Sequence, residues 1–294
     1  MDDTPTGFVI VDKEPDMTSH DVVARMRRIA RTRKVGHGGT LDPMATGVLV
    51  LAVGRITRLL TYVSGSDKSY EGTIQLGRTT VTDDAEGEVT STTDAGSVTD
   101  TQITDALATM VGDIAQVPSA VSAIKIKGQR AYKRVAAGED VELPPRQVTI
   151  SKLDVVDIRR GASVIDIDIA VECSSGTYIR AIARDLGEHL SVGGHLAALR
   201  RTSVAGFGID EAQTLSSLAE KETPITHSTL DTVRRLLPCR SVTAEDARKL
   251  GHGGKISAAG FDGPYAIIGP DETVVAIVSE KAGSARPEVV LAPR

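Results

Sequence analysis

Tryptophan is absent from this chain of 294 residues, and Phe, Trp and Tyr together make up 3% of it. Any core must therefore be mostly aliphatic. Cysteine is scarce as well. Cys173 and Cys239 are the only two; neither stands in a metal-ligand spacing, and two thiols do not make a disulfide scaffold. A reducing cytoplasm is the compartment this implies. No run approaches ~18 uninterrupted apolar residues, so no membrane span is expected. The N-terminus, Met1-Asp2-Asp3-Thr4, has neither the basic region nor the apolar stretch of a secretory signal. There is no internal repeat and no low-complexity tract. His37, His195 and His252 fall at no metal-binding spacing, so no metal site is expected.

With 40% hydrophobic residues the chain can bury a sizeable core, and its length suits one large domain with a smaller one, or two domains. Net charge is −5, which by itself argues against nucleic acid. The positive charge is concentrated, however. Arg25, Arg27, Arg28, Arg31, Arg33 and Lys34 follow one another with no acid among them, and Lys125, Lys127, Arg130, Lys133 and Arg134 repeat the pattern. An acidic protein can still carry a basic groove, because phosphate contacts depend on where the cations sit. Either run taken alone also reads as a solvated face.

The chain is organised around residues 36–47, Gly-His-Gly-Gly-Thr-Leu-Asp-Pro-Met-Ala-Thr-Gly, and the apolar run Val48 to Val53 behind them. The run is short and β-branched, and Gly54 closes it; it reads as a strand buried on both faces. The glycine-rich segment before it suits a loop that bends sharply and approaches something closely. Pro43 pushes Asp42 toward an extended conformation, so the loop presents a single carboxylate from a rigid platform. An Asp before a Pro is, on composition alone, most often a turn former.

Other elements follow from periodicity. Gly7 to Val11 reads as a strand. Ser19 is a candidate helix cap with Asp21 in the first turn, and Val22, Val23, Met26, Ile29 and Ala30 mark a helical face. Arg55 to Val63 reads as a short helix, Tyr70 to Leu76 as a half-buried strand, and residues 79–87 as a polar turn. Residues 88–100 read as the floppiest loop. A helix is expected over Thr99 to Val111, starting at a Thr or Asp cap, and a strand over Val164 to Val171. Ile179, Ile182, Ala183, Leu186 and Leu190 form a further helical face. From about Pro238 the character changes to one capped helix, beginning at Thr243 and ending at Gly251, and short β-rich runs at Tyr265 to Ile268, Val274 to Val278 and Val289 to Leu291.

The residue 36–47 string resembles the catalytic motif of the TruB family of bacterial tRNA pseudouridine-55 synthases, roughly G-H-x-G-x-L-D-P-x-A-x-G. Thr79 to Gly87, Val117 to Lys125 and Gly176 to Arg180 resemble further family segments. Lys13-Glu14-Pro15-Asp16 departs from the usual K-P-x-G: the proline comes one place later and Asp16 replaces the glycine. The resemblance implies an α+β fold. Residues 1–237 would form a catalytic domain with a mixed, mainly antiparallel sheet flanked by helices, carrying an RNA-gripping insertion at about 118–148. Residues 238–294 would form a small, mostly β, PUA-like RNA-binding domain.

The implied chemistry is isomerisation of uridine to pseudouridine in the T loop of tRNA. The target base must leave its stack, be read along its edge and be stacked on a side chain. The resemblance makes Asp42 the essential carboxylate, Arg180 its cationic partner, and Tyr70 the ring that stacks on the base and receives its C5 proton. Tyr178 and Leu199 line the pocket, His37 holds the T loop open, and Lys13 lies nearby. The basic loop, with Lys125, Lys127, Arg130, Lys133 and Arg134, takes the RNA backbone. An isomerisation calls for no organic cofactor, and a monomer acting on the tRNA T stem-loop is expected. Two rival readings stay open: a tRNA-folding chaperone without catalysis, and a synthase acting on another RNA.

Overall fold

The computed structural model describes residues 5–121 and 143–291, and the backbone alone of 125–126 and 129–130. β1 (Gly7–Lys13) lies antiparallel to β3 (Thr46–Val53), and Gly47 to Val53 are all buried, as the apolar run requires. The other edge of β3 is shared. The short β2 (Val35–His37) pairs with its far end, and β12 (Gly194–Val204) runs parallel to its start. That parallel contact needs Gly47. Its φ is +98°, and a Cβ there would meet the Arg201 carbonyl oxygen at 2.2 Å.

β12 then pairs antiparallel with β4 (Lys68–Leu76), β4 with β11 (Ile165–Cys173), β11 with β10 (Arg146–Arg160), and β10 with β7 (Gly112–Gln116). β13 (Phe207–Gly208) turns back on β12, making nine strands in this sheet among the described residues. Two hairpins stand apart, β5 (Arg78–Thr80) with β6 (Val89–Thr92) and β8 (Lys125–Ile126) with β9 (Gln129–Arg130). The sheet is thus mixed and mainly antiparallel.

Helices lie on both faces of the sheet, three of the longer ones on one of them. α1 (Ser19–Ile29) buries Val22 and Met26, α3 (Asp100–Ala108) buries Ile103, and α4 (Ile179–His189) buries Ile182 and Leu186 against Ile74, Leu76, Ile167 and Ile169. A turn of tighter helix over Gly54–Leu59 runs into α2 (Leu60–Ser64), and α5 (Leu215–Ala219) and α6 (Thr229–Leu236) follow the last strand of the sheet.

A second, five-stranded sheet takes β14 (Cys239–Ser241), β15 (Ile256–Ser257), β16 (Tyr265–Ile268), β17 (Val274–Lys281) and β18 (Ser284–Val290), with α7 (Ala244–Gly251) beside it. It shares an apolar cluster with the first sheet: Ala266, Ile268 and Ile277 join Phe8, Ile10, Val48, Val50 and Val233.

Several local expectations need correction. Thr18, not Ser19, caps α1, through a reciprocal box with Asp21. Ser19 is buried, and its hydroxyl bonds Leu41 from both sides. Gly36 and His37 belong to β2 rather than to the loop. Residues 89–92 form a strand within the stretch expected to be loop. The last β run begins at Ser284, five residues earlier than the apolar pattern suggested.

Candidate active site

The loop after β2 is tied down at almost every residue. Ser19 holds Leu41 on one side. Lys13, 1% exposed at the end of β1, donates to the carbonyls of Pro43 (3.0 Å), Met17 (2.6 Å) and Glu14 (2.9 Å). Arg201, also 1% exposed, donates to Val48 (2.8 Å), Thr40 (3.2 Å) and Gly39 (3.4 Å). The Ala45 N–H closes the turn on the Asp42 carbonyl at 3.1 Å. A backbone so pinned fixes the one carboxylate it carries.

Arg180 approaches that carboxylate from the first turn of α4. Its Nε lies 3.1 Å from Oδ2 of Asp42, and Nη1 lies 3.1 Å from Oδ2 of Asp84. The remaining donors reach the carbonyls of Thr82 (2.9 Å) and Val121 (3.1 Å). Asp185 does not compete, because it pairs with Arg184 at 2.7 Å. Asp84 is 2% exposed and is itself held by the Thr82 hydroxyl (2.5 Å) and the Glu86 N–H (3.0 Å). The Asp42 side chain, by contrast, keeps 37% of its surface exposed. One guanidinium therefore balances a fully buried carboxylate and an accessible one. Burial, and then Asp84, push the neighbouring Glu86 carboxyl upward.

Asp42 and Arg180 border a cavity of about 280 Å³, with Tyr70, Tyr178, Leu199 and Arg201 among its walls. Tyr70 and Arg201 are direct cross-strand partners on β4 and β12, which sets the guanidinium beside the phenol. Burial pushes the Tyr70 hydroxyl up, against the pull of Arg201. Burial likewise lowers Lys68, whose ammonium donates to Ser66 (2.6 Å) and Ser64 (3.1 Å) on the cavity rim. Tyr178 stands at the start of α4; its backbone N–H donates to the Gln116 side-chain oxygen at 2.8 Å, and its carbonyl accepts from the Gln116 side-chain nitrogen at 3.0 Å. The pocket is sized for a flat heterocycle, with rings and Leu199 to cover it and charge at one end.

The structure thus brings together Asp42, Arg180, Tyr70, Tyr178 and Leu199. It places two other residues elsewhere. Lys13 does not line the cavity: its three donors are consumed by backbone carbonyls, so it is a positioning residue for the Pro43 turn rather than a substrate contact. His37 stands on β2, outside the cavity wall and edge-on to His20 at 5.4 Å. Its Nδ1 is buried without a hydrogen-bond partner, and burial lowers its pKa. Lys125 and Arg130 lie on β8 and β9 with only their backbone described, and Lys127, Lys133 and Arg134 lie outside the described residues. Sequence reasoning gave Arg201 no part, and it marked Asp84 only as the acidic position of the family-like 79–87 segment, without its pairing to Arg180. The only signal for Arg201 was its place two residues after Leu199.

Residues 27–179 match the family described as TruB family pseudouridylate synthase (N terminal domain). Residues 180–242 match the tRNA pseudouridylate synthase B C-terminal domain, and residues 237–292 match tRNA Pseudouridine synthase II, C terminal. The chain belongs to the TruB family of pseudouridylate synthases. It is 52% identical to the tRNA pseudouridine synthase B of Arthrobacter sp. (strain FB24), over 98% of this chain and 97% of that protein. Against the protein of that name from Mycobacterium sp. (strain KMS) it is 53% identical, over 98% and 96%. Among solved structures it resembles a Cbf5–Nop10–Gar1 complex, with 25% identity, a TM-score of 0.76, and coverage of 98% of this chain and 85% of that one. An H/ACA RNP bound to a substrate RNA containing 2′-deoxyuridine gives 23% identity, a TM-score of 0.73, and 98% and 86% coverage, which shows the TruB chain to share its fold. In this TruB protein Asp42, Tyr70 and Tyr178 fall within the first match, and Arg180, Leu199 and Arg201 within the second.

Proposed function

We propose that this TruB protein isomerises uridine to pseudouridine at position 55 in the T loop of tRNA, as a monomer in the cytoplasm, with Asp42 as its essential carboxylate. The observation that carries the reading is the Asp42–Arg180 pair at the mouth of a cavity walled by Tyr70, Tyr178 and Leu199. The target uridine swings out of its stack into that cavity, where Tyr70 covers one face of the base and Leu199 the wall. The C1′–N1 bond breaks with its electron pair going to the base, the base turns, and C5 bonds to C1′; C5 then gives its proton to Tyr70 and N1 takes one up, so the product has the same atoms as the substrate. Atoms and electrons balance within the substrate, so the scheme calls on no cofactor. Attack by Asp42 at C6, attack at C1′ and removal of a ribose proton all use a carboxylate that is exposed on one side and charge-balanced on the other.

Residues 1–237 would do the chemistry. The basic insertion (Lys125, Lys127, Arg130, Lys133, Arg134) and the C-terminal sheet from residue 238 would hold the RNA backbone, and His37, on β2 outside the cavity wall, would keep the T loop open. The half-identical relatives favour tRNA over a guide-dependent substrate, and a buried pair devoted to one exposed carboxylate favours catalysis over chaperoning. The test is turnover of unmodified tRNA by the purified protein with nothing added, the product mapped by position. Wild type should modify position 55. Asp42→Asn should fold, bind tRNA within a few-fold of wild type and react at least ~10³ times more slowly. A folded Asp42→Asn protein that turns over normally overturns the mechanism, and modification confined to another position overturns the substrate.

A further inference from the structure

Between Asp21 and Asp67 the chain holds one acidic residue, Asp42, and eight cations: Arg25, Arg27, Arg28, Arg31, Arg33, Lys34, Arg55 and Arg58. All eight are exposed, in a protein whose net charge is −5. Among the described residues none of them forms an ion pair. Only Arg27 spends a donor, on the Val35 carbonyl at 3.3 Å.

The fold lays these cations along one path that begins at the active site. α1 starts at Ser19, bonded to Leu41 next to Asp42, and His20 meets His37 at 5.4 Å. It then runs alongside β2, so that Arg27 reaches Val35 at the strand's other end. Eleven residues of helix carry the surface ~16 Å from the catalytic loop. β3, eight residues long, covers roughly 25 Å to Gly54. There the path opens into a cavity of about 560 Å³ lined by Lys34, Arg55, Thr57 and Arg58 on one side and by Val290 and Leu291 of the C-terminal sheet on the other. Glu288, on the same C-terminal strand, is engaged by the Tyr62 hydroxyl at 3.1 Å and by Ser279.

We infer that this path is a second RNA track, which takes the phosphates of the duplex leading out of the T loop and delivers them to the C-terminal sheet. The inference rests on the tRNA reading above. Exposed cations with no acid partners are held apart from one another for a polyanion, and their spread over ~16 to 25 Å fits a run of backbone phosphates rather than a single small anion. Phosphate contacts position the substrate without reading its sequence. The track lies on the α1–β2–β3 edge.

The experiment compares two RNAs with one variant. Lys34→Gln, Arg55→Gln and Arg58→Gln together remove three exposed charges at the far end of the track, none of them in the wall of the Asp42 cavity. Binding of whole tRNA should weaken about tenfold or more, and the slope of log affinity against log salt should fall by about two to three units. Turnover of a short T stem-loop hairpin, whose duplex ends before the track does, should stay within about twofold, and the melting temperature should stay at the wild-type value. An unchanged salt slope with whole tRNA overturns the track. An equal loss on hairpin and whole tRNA also overturns it, since the charges would then act at the loop. Failure of the wild-type protein to modify either RNA is a different result and counts against the tRNA reading instead.

Discussion

Arg180 reaches Asp42 through Nε and Asp84 through Nη1, at 3.1 Å in both cases. Because Asp84 is 2% exposed and bonded on its other side by Thr82 and Glu86, it is the fixed end of this chain of charges, and Asp42 is the free end. Asp84 acts through Arg180 as a positioning residue. Asp84→Asn should lower kcat by ~10²-fold through misplacement of the guanidinium, with KM within a few-fold. It also leaves Arg180 with one carboxylate fewer in a buried site, a loss of about 3 kcal/mol or more. Single-turnover rates and thermal melts on the same preparation separate the two effects. A variant that melts early but reacts at the wild-type rate would leave Asp84 a purely structural role.

Arg201 presents the complementary case. Its guanidinium is buried, burial depresses its pKa, its bonds run to three carbonyls, and its cross-strand neighbour is Tyr70. A lysine keeps the charge but not the planar fork that spans Gly39, Thr40 and Val48 at once. Arg201→Lys should therefore leave some carbonyls unpaired, at about 1–3 kcal/mol each. It should also slow turnover ~10²-fold by loosening the Asp42 loop and Tyr70. The check is a kcat loss accompanied by a lower melting temperature, with tRNA binding within a few-fold of wild type.

How much of this was legible beforehand depended on whether a local pattern survived the fold. The buried strand through Val48 to Val53 was legible because every side chain is aliphatic, and α4 because its apolar residues keep one face. Asp42 and Arg180 were legible only as a motif; no spacing between residues 42 and 180 foretells a 3.1 Å contact. Arg201 was hidden for a different reason. The β12–β4 register slips between Leu196 and Ala198 and again between Arg201 and Ser203, so the two-residue alternation that would set Arg200 outside and Arg201 inside is broken on both sides. Arg200 and Arg201 then read alike, although one pairs with Asp12 near the surface at 2.9 Å and the other is buried. Lys13 was legible as a neighbour of the pocket, and its bond to the Pro43 carbonyl keeps it there, but only the fold shows its ammonium closed over by three carbonyls.

A pH prediction rests on Glu211. Its carboxyl is pulled down to about 2 by the Arg235 guanidinium, and then by His227, from an ordinary value of 4.5. The bonds are 2.7 Å to Arg235 and 2.9 Å to His227. A depressed carboxylate contributes stability that is fully present above its unfolded pKa and is lost as pH falls through the folded one. The window therefore runs from about 4.5 down to about 2. Glu211→Gln should melt below wild type near neutrality, and the gap should close as pH falls through that window. A gap independent of pH would mean that the shape of the Glu211 side chain, not its charge, holds it between Arg235 and His227.

The division of the chain at residue 237 makes a last prediction, and here the structure qualifies what the sequence suggests. From sequence, a chain ending near Leu237 should fold and still modify an isolated T stem-loop, because the pocket residues all come earlier. The pocket is indeed built from residues 39–201. The apolar cluster beneath β1 and β3, however, draws Ala266, Ile268, Val274 and Ile277 from the C-terminal sheet. Removing them uncovers Phe8, Val48 and their neighbours, at about 1.5–3 kcal/mol for each large side chain returned to water. The truncated protein should therefore melt well below the full chain and bind whole tRNA more weakly, while its folded fraction turns over the T stem-loop at a rate close to wild type. The measurement is hairpin turnover per folded molecule, at a temperature below the truncated protein's own melting point. A folded truncation with no activity on the hairpin would place part of the reaction machinery beyond residue 237. One that melts with the full-length protein would mean the two sheets fold independently despite their shared cluster.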